Sequence, residues 1–157
     1  MKKIYFIALT LMLGIAQGAW ADTTGNWKDN CNNESWGSDY STSSSFTIST
    51  AAQLAKFTSI VNAGNNFSGK TITLSADINL SAHYWLPIGT LDDYSFKGTF
   101  DGAGHTISGI YINDSGLYGG LFGCVDDDAR IKNLKIENSK IEGDIYIAGA
   151  IVGFAED

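Results

Sequence analysis

Along its length the chain changes hydrophobic rhythm, and each change predicts a different element. Ile4 to Ile15 is an apolar run behind Lys2 and Lys3, closed by Ala19-Trp20-Ala21. Asp22 to Ser45 shows no period; it is rich in Asn, Ser, Asp and Thr, with Trp27, Trp36 and Tyr40 interspersed, and reads as a loose polar leader. Leu54, Phe57 and Val61 then recur at i, i+3 and i+7, which puts them on one face of an amphipathic helix. Thr50 and Gln53 stand at capping-box spacing ahead of it, and Gly64 follows as a carboxy-terminal cap. From Thr71 the period falls to two. Ile72, Leu74, Ala76, Ile78 and Leu80 take one side and Thr71, Thr73, Ser75, Asp77 and Asn79 the other, as in a half-buried strand or two. Comparable material, broken by Gly, Asn and Asp and holding the single proline Pro87, runs to the end.

Self-similarity decides which β architecture these strands build. Ile107-x-x-Ile110-x-Ile112 is echoed 24 residues later by Ile131-x-x-Leu134-x-Ile136, and Gly119-Gly-Leu-Phe-Gly123 is echoed 30 residues later by Gly149-Ala-Ile-Val-Gly153. Unequal periods suit strand cores that recur while turns vary. The two residues between the first and second inward side chains suit a tight bend; Ser108-Gly109 and Lys132-Asn133 fill it, and Gly and Asn tolerate a left-handed corner. A unit of about 22 to 30 residues cannot bury its apolar face alone, so units stack into a parallel β-solenoid with a continuous Ile, Leu, Phe and Val core. The helix would lie across the first coil and cover its open edge. The aromatic residues of the leader could pin it to that domain or face solvent as ligand platforms.

Phe46-Thr-Ile-Ser-Thr-Ala-Ala-Gln-Leu-Ala55, Phe67-Ser-Gly-Lys-Thr-Ile-Thr-Leu74, Ala76-Asp-Ile-Asn-Leu80, Trp85-Leu-Pro-Ile-Gly89 and Phe96-Lys-Gly-Thr-Phe-Asp-Gly-Ala-Gly-His-Thr-Ile107 together resemble the start of GLUG-motif repeat proteins, and Gly120-Leu-Phe-Gly123 resembles the motif that names them. The resemblance runs from about Trp27 to the last residue. It implies an all-β fold, a right-handed parallel β-helix with one amino-terminal capping helix, in exported bacterial proteins thought to act in cell-surface adhesion. Similar repeats accompany immunoglobulin-A-cleaving metalloproteases. Asp157 follows the second glycine-framed motif by four residues, ahead of any family-type cap, anchor or catalytic domain, so the expectation is a truncated chain.

The apolar start is a secretory signal rather than a membrane anchor: twelve helical residues span about 18 Å against a hydrocarbon core of roughly 30 Å, and the A-x-A site puts cleavage between Ala21 and Asp22. This divides the chain into signal (1–21), leader (22–45) and capping helix with solenoid (46–157), exported to the periplasm, cell surface or medium. No second segment is long and apolar enough to span a membrane. After cleavage eight basic residues face seventeen acidic ones, a net charge of −9, which repels nucleic acid. An exported protein could pair Cys31 with Cys124, although Cys124, between Gly123 and Val125, reads better as a small buried hydrophobe.

No constellation points to catalysis, a cofactor or a metal. Asp101 and His105 could be read as an acid/base pair, but Asp-Gly-Ala-Gly is turn chemistry before a strand. His83 has no ligand at metal spacing, and H-E-x-x-H is absent. Asp126-Asp127-Asp128, Asp92-Asp93 and Asp114 offer calcium-type oxygens but read as solvated acidic turns. Exposed aromatics are the one hint of a ligand: Tyr111, Tyr118 and Tyr146 foremost, with Tyr84, Trp85 and Tyr94, stacking on sugar rings of a host glycan or glycoprotein. The reading is a non-enzymatic, adhesin-like interaction module. The alternatives are a polysaccharide-cleaving or glycan-binding β-helix and a spacer within a larger surface protein.

Overall fold

A computed structural model describes residues 25–156; the expected signal segment and its expected cleavage site at Ala21 and Asp22 lie outside the described residues. Helix α1 spans Ala51–Val61. The Thr50 hydroxyl oxygen accepts the Gln53 N–H at 3.2 Å, while Gln53 Oε1 reaches one residue past the cap to the Ser49 N–H at 2.8 Å. At the far end Gly64 adopts φ +98°. Its N–H bonds the Val61 carbonyl and the Asn65 N–H bonds the Ile60 carbonyl, a closure that requires a left-handed residue where the glycine stands. Leu54, Phe57 and Val61 are fully buried.

Strand β1 (Ser45–Ile48) precedes the helix; β2 (Thr71–Leu74) and β3 (Ile78–Asn79) follow it, so the period-two run divides where Ser75 to Asp77 turn the chain. Five strands come next: β4 (Thr99–Asp101), β5 (Thr106–Ser108), β6 (Tyr111–Asn113), β7 (Gly116–Gly119) and β8 (Phe122–Val125). Five more repeat the order: β9 (Arg130–Lys132), β10 (Lys135–Glu137), β11 (Lys140–Glu142), β12 (Ile145–Ala148) and β13 (Val152–Ala155). Each of the second five pairs with its counterpart in the first five, and every strand pairing among the described residues is parallel. One sheet runs β1-β2-β4-β9 and another β10-β5-β3; the other three are two-stranded. The described chain is thus mostly strand with one α-helix.

Register settles which echo matters. Phe46, Ile72, Phe100 and Ile131 stack in one column, in steps of 26, 28 and 31 residues. Ile107 stacks under Ile136 and Ile112 under Ile141, in steps of 29. The 24-residue echo is therefore not the register: Ile131 stands over Phe100, not over Ile107. Ile131, Ile136 and Ile141 recur every five residues on successive strands, so pattern matching slips by one strand. The 30-residue echo agrees with the ladder, where Val152 pairs with Phe122. Asn133 and Asn138 adopt φ +52° and +50°, and Gly109 φ +72°, which lets the chain turn sharply between short strands.

The core lies between α1 and the sheets. Phe57, Phe67, Phe96, Phe100 and Phe122 are fully buried, with ring centroids 4.9 Å apart for Phe57 and Phe67 and 5.3 Å for Phe96 and Phe122. Burying each such side chain contributes roughly 1.5–3 kcal/mol. The segment before β1 is packed rather than loose. Trp36 meets Phe46, Phe57 and Phe67 and donates its indole N–H to the Thr47 carbonyl at 2.6 Å; Trp27 donates to the Leu80 carbonyl at 2.9 Å. Cys31 and Cys124 are both buried, and no disulfide joins them. In the last layer Ile131, Leu134, Ile136, Ile141, Ile145 and Val152 are only half-buried, whereas Phe100, Ile107, Ile112 and Phe122 below them are buried almost completely.

Candidate functional site

Alternation in the four-stranded sheet sends Phe46, Ile72, Phe100 and Ile131 toward the core and leaves two polar rows outside. Register stacks Ser45, Thr71, Thr99 and Arg130 in one row and Thr47, Thr73, Asp101 and Lys132 in the other. Neighbours along each row are one strand spacing apart, about 4.8 Å. A groove flanks each row.

The groove beside the first row, of about 280 Å³, is lined by Ser68 to Thr71, Lys97 to Thr99, Asp128 and Arg130. A turn at Phe67 to Lys70 shapes it, with Phe67 at φ +58° and Gly69 at φ +69°. A left-handed phenylalanine costs about 1–3 kcal/mol; it is held there because its ring is buried against Trp36, Tyr40, Phe46 and Phe57. Gly98 forms the floor, where a Cβ would collide with the Phe67 carbonyl. Lys70 Nζ donates to the Ser43 carbonyl at 2.6 Å and sits 5.0 Å over the Tyr40 ring. Lys97 is ion-paired with Asp126; that contact raises the lysine and lowers the aspartate from their ordinary values. Lys132, Lys135 and Lys140 are paired with Asp101, Glu137 and Glu142. Among the described residues neither Lys70 nor Arg130 forms an ion pair.

The groove beside the second row, of about 620 Å³, is lined by Asp101, Ala103, Gly104, Asn133, Leu134 and Lys135. Asp101 Oδ1 accepts the Ala103 N–H at 2.9 Å and the Asn133 amide at 3.1 Å, and Oδ2 faces Lys132 Nζ at 3.1 Å. These contacts, the Ala103 N–H foremost, hold its carboxyl below the usual carboxylate range. His105 turns to Asp77, with Nδ1 and Oδ1 3.2 Å apart, and Asp77 also accepts the Thr106 N–H at 2.9 Å. Its carboxyl too is lowered, chiefly by that N–H and then by His105. Asp101 is thus employed in holding its own turn, and the Asp101/His105 acid/base pairing does not form.

The three tyrosines expected to bind ligand stand on three different strands. Tyr111, half-buried in β6, lies 5.0 Å from the Tyr84 ring with Lys140 Nζ 5.1 Å over its face. Its hydroxyl donates to Glu142 at 2.8 Å, which raises its titration. Tyr118, in β7, stacks on Phe154 at 5.0 Å. Tyr146, in the paired strand β12, is 83% exposed. Tyr94 is exposed, whereas Trp85 is buried and donates its indole N–H to the Leu121 carbonyl at 3.1 Å, which withdraws it from stacking on a ligand. A cleft of about 320 Å³ opens between Trp85, Pro87 and Leu91 on one side and Ile112, Leu117 and Tyr118 on the other.

Asp126, Asp127 and Asp128 bring carboxylate oxygens within 4.8 Å of one another. Lys97 already neutralises Asp126, and the hydrogen bond between Asp127 and Asp126, then the Asp126 charge, raises Asp127. Asp93 belongs to a short turn at Asp92–Tyr94, Asp114 caps the Ser115 N–H at 2.7 Å, and the His83 ring lies edge-on to Trp27 at 4.8 Å. The basic groove was invisible to spacing rules, because Lys70, Lys97 and Arg130 come from three passes of the chain. The Thr-x-Thr run after Lys70 was its only sequence trace.

No family model matches the chain. A protein of Evansella cellulosilytica named a Gly-rich membrane protein is 32% identical over 117 residues, covering 69% of this chain and 13% of that protein. The halomucin of Haloquadratum walsbyi is 36% identical over 93 residues, covering 53% of this chain and 1% of that protein. The chain therefore spans only a small part of the relatives it matches. No solved structure matches, and no helix among the described residues is long and apolar enough to cross a membrane.

Proposed function

We propose that this chain is an exported, non-enzymatic interaction module acting at a cell surface in the manner of an adhesin, built as the capped start of a right-handed parallel β-helix of the GLUG type. The observation that carries the reading is the ordered parallel pairing of five successive strands with the next five. Such stacking yields a long outer face, and here that face is a row of hydroxyls and charges rather than a closed pocket. The resemblance to GLUG repeats and the names of the two relatives, a membrane protein and a halomucin, agree with a place at or beyond the membrane. Immobilised host glycoproteins and mucins, probed with folded chain from Asp22 onward by surface plasmon resonance, should retain it; uniform absence of binding overturns the reading.

One observation favours a second reading, polysaccharide cleavage: Asp101 and Lys135 line one groove, and Lys132 is paired with that Asp101. Carboxylate and cation on one groove are what proton abstraction from an acidic sugar requires. Turnover of an acidic glycan panel that vanishes in Asp101→Ala would replace the first reading with this one.

A further inference from the structure

We infer that the groove along the first row of the β1-β2-β4-β9 sheet binds an anionic polysaccharide, one carrying sulfate or carboxylate groups, through Lys70 and Arg130 with Thr71 and Thr99 between them. This deepens the surface-module reading and rests on it.

The charge balance singles the place out. After cleavage the chain carries a net charge of −9. The lysines at 97, 132, 135 and 140 are each neutralised by a carboxylate. Lys70 and Arg130, which form no ion pair among the described residues, line the same groove. A net cationic groove in an acidic protein is a local well for anions, and at physiological ionic strength the distant acidic groups are screened beyond about 8 Å. Asp126 holds Lys97, and against Asp128 in the same lining Lys70 and Arg130 leave a surplus of one positive charge. Lys70 is preset: the Ser43 carbonyl and the Tyr40 ring fix its ammonium, which lowers the ordering cost of binding.

Shape selects the class of anion. Thr71, Thr99 and Arg130 lie in register on adjacent strands, so Thr71 and Arg130 are separated by two strand spacings, roughly 10 Å. Lys70 flanks Thr71 at one end and Arg130 stands at the other, with two hydroxyls between. A small anion would engage one end. A sugar chain lying along the row satisfies both, giving its ring hydroxyls to the threonines and its charged groups to the cations, where guanidinium can take sulfate or carboxylate through two parallel N–H bonds.

The test measures binding of the chain from Asp22 onward to heparin, polygalacturonate, neutral dextran and phosphatidylglycerol vesicles. Wild type should bind at least one of the two acidic polymers, more weakly as salt rises, and ignore dextran. Arg130→Gln should cost about tenfold in affinity and Arg130→Gln with Lys70→Gln more, while Arg130→Lys with Lys70→Arg retains binding and Lys28→Gln, at a lysine outside the groove lining, is neutral. Matching circular dichroism and urea midpoints exclude misfolding. Unchanged polymer affinity in the double glutamine variant, vesicle binding without polymer binding, or dextran binding equal to heparin binding each overturns the proposal. Retention on mucins with no preference for acidic polymers would do so while leaving the module reading intact; failure on every glycoprotein and polymer would remove both.

Discussion

Ile107 and Ile136 occupy the same column of the β3-β5-β10 sheet, one layer apart, and differ chiefly in cover. Ile107 is fully buried beneath the next layer; Ile136 is half-buried in the last layer described. Truncation to alanine removes the same three carbons at each site. At Ile107 their transfer costs roughly 2.4 kcal/mol at about 0.8 kcal/mol per methylene, and a cavity closed on all sides raises the total to about 3–4 kcal/mol. At Ile136 much of that surface already meets water and the gap opens outward, so about 1 kcal/mol is expected. With a urea dependence of about 1.5 kcal/mol/M, the Ile107→Ala midpoint should fall roughly 1.5 M further than that of Ile136→Ala. Urea titrations of the two variants, followed by far-ultraviolet circular dichroism and tryptophan fluorescence, measure this directly. Equal losses would refute the reasoning, since Ile136 would then be as well covered as Ile107, by a second copy for instance, or the register would be wrong.

Other consequences follow from individual contacts. Trp36→Ala removes the ring bridging Phe46, Phe57 and Phe67 and should cost about 3 kcal/mol, seen as a lower urea midpoint together with faster proteolysis before Ser45. Thr50→Ala removes the cap that accepts the Gln53 N–H and should cost about 1 kcal/mol, with Thr50→Ser nearly neutral; equal losses for both would refute the capping role. Gly98→Ala should lower both the midpoint and the groove's affinity, because the new Cβ meets the Phe67 carbonyl. Asp101 titrates below its unfolded value of about 3.9. Its stabilising contribution is therefore present above that pH and lost as pH falls through the lower folded value. Acid unfolding should accordingly be less steep in Asp101→Asn than in wild type.

Local chemistry already decided a good deal in the sequence. The helix, its Thr50 cap and its Gly64 closure depend on contacts within a few residues, and Leu54, Phe57 and Val61 share a face by helix period alone. The alternation from Thr71 likewise separates Ile72 and Leu74 from Thr71 and Thr73 whatever they pack against. The repeat announced that strands stack, yet the 24-residue echo misassigned which strand meets which, because near-identical strands five residues apart offer several matches of equal hydrophobic quality. Turn lengths and the buried phenylalanines selected one register, and only that register brought Lys70, Thr71, Thr99 and Arg130 together from passes 28 and 31 residues apart at Thr71, Thr99 and Arg130. Tyr111 could be placed on an outer row from the sequence, but its engagement by Tyr84, Lys140 and Glu142 could not. Side-chain period is a property of neighbouring residues, whereas the meeting of charges across layers depends on loop closure and packing over the whole chain; so the sequence alone determined the elements and their inward faces, and the tertiary structure decided the register and the groove.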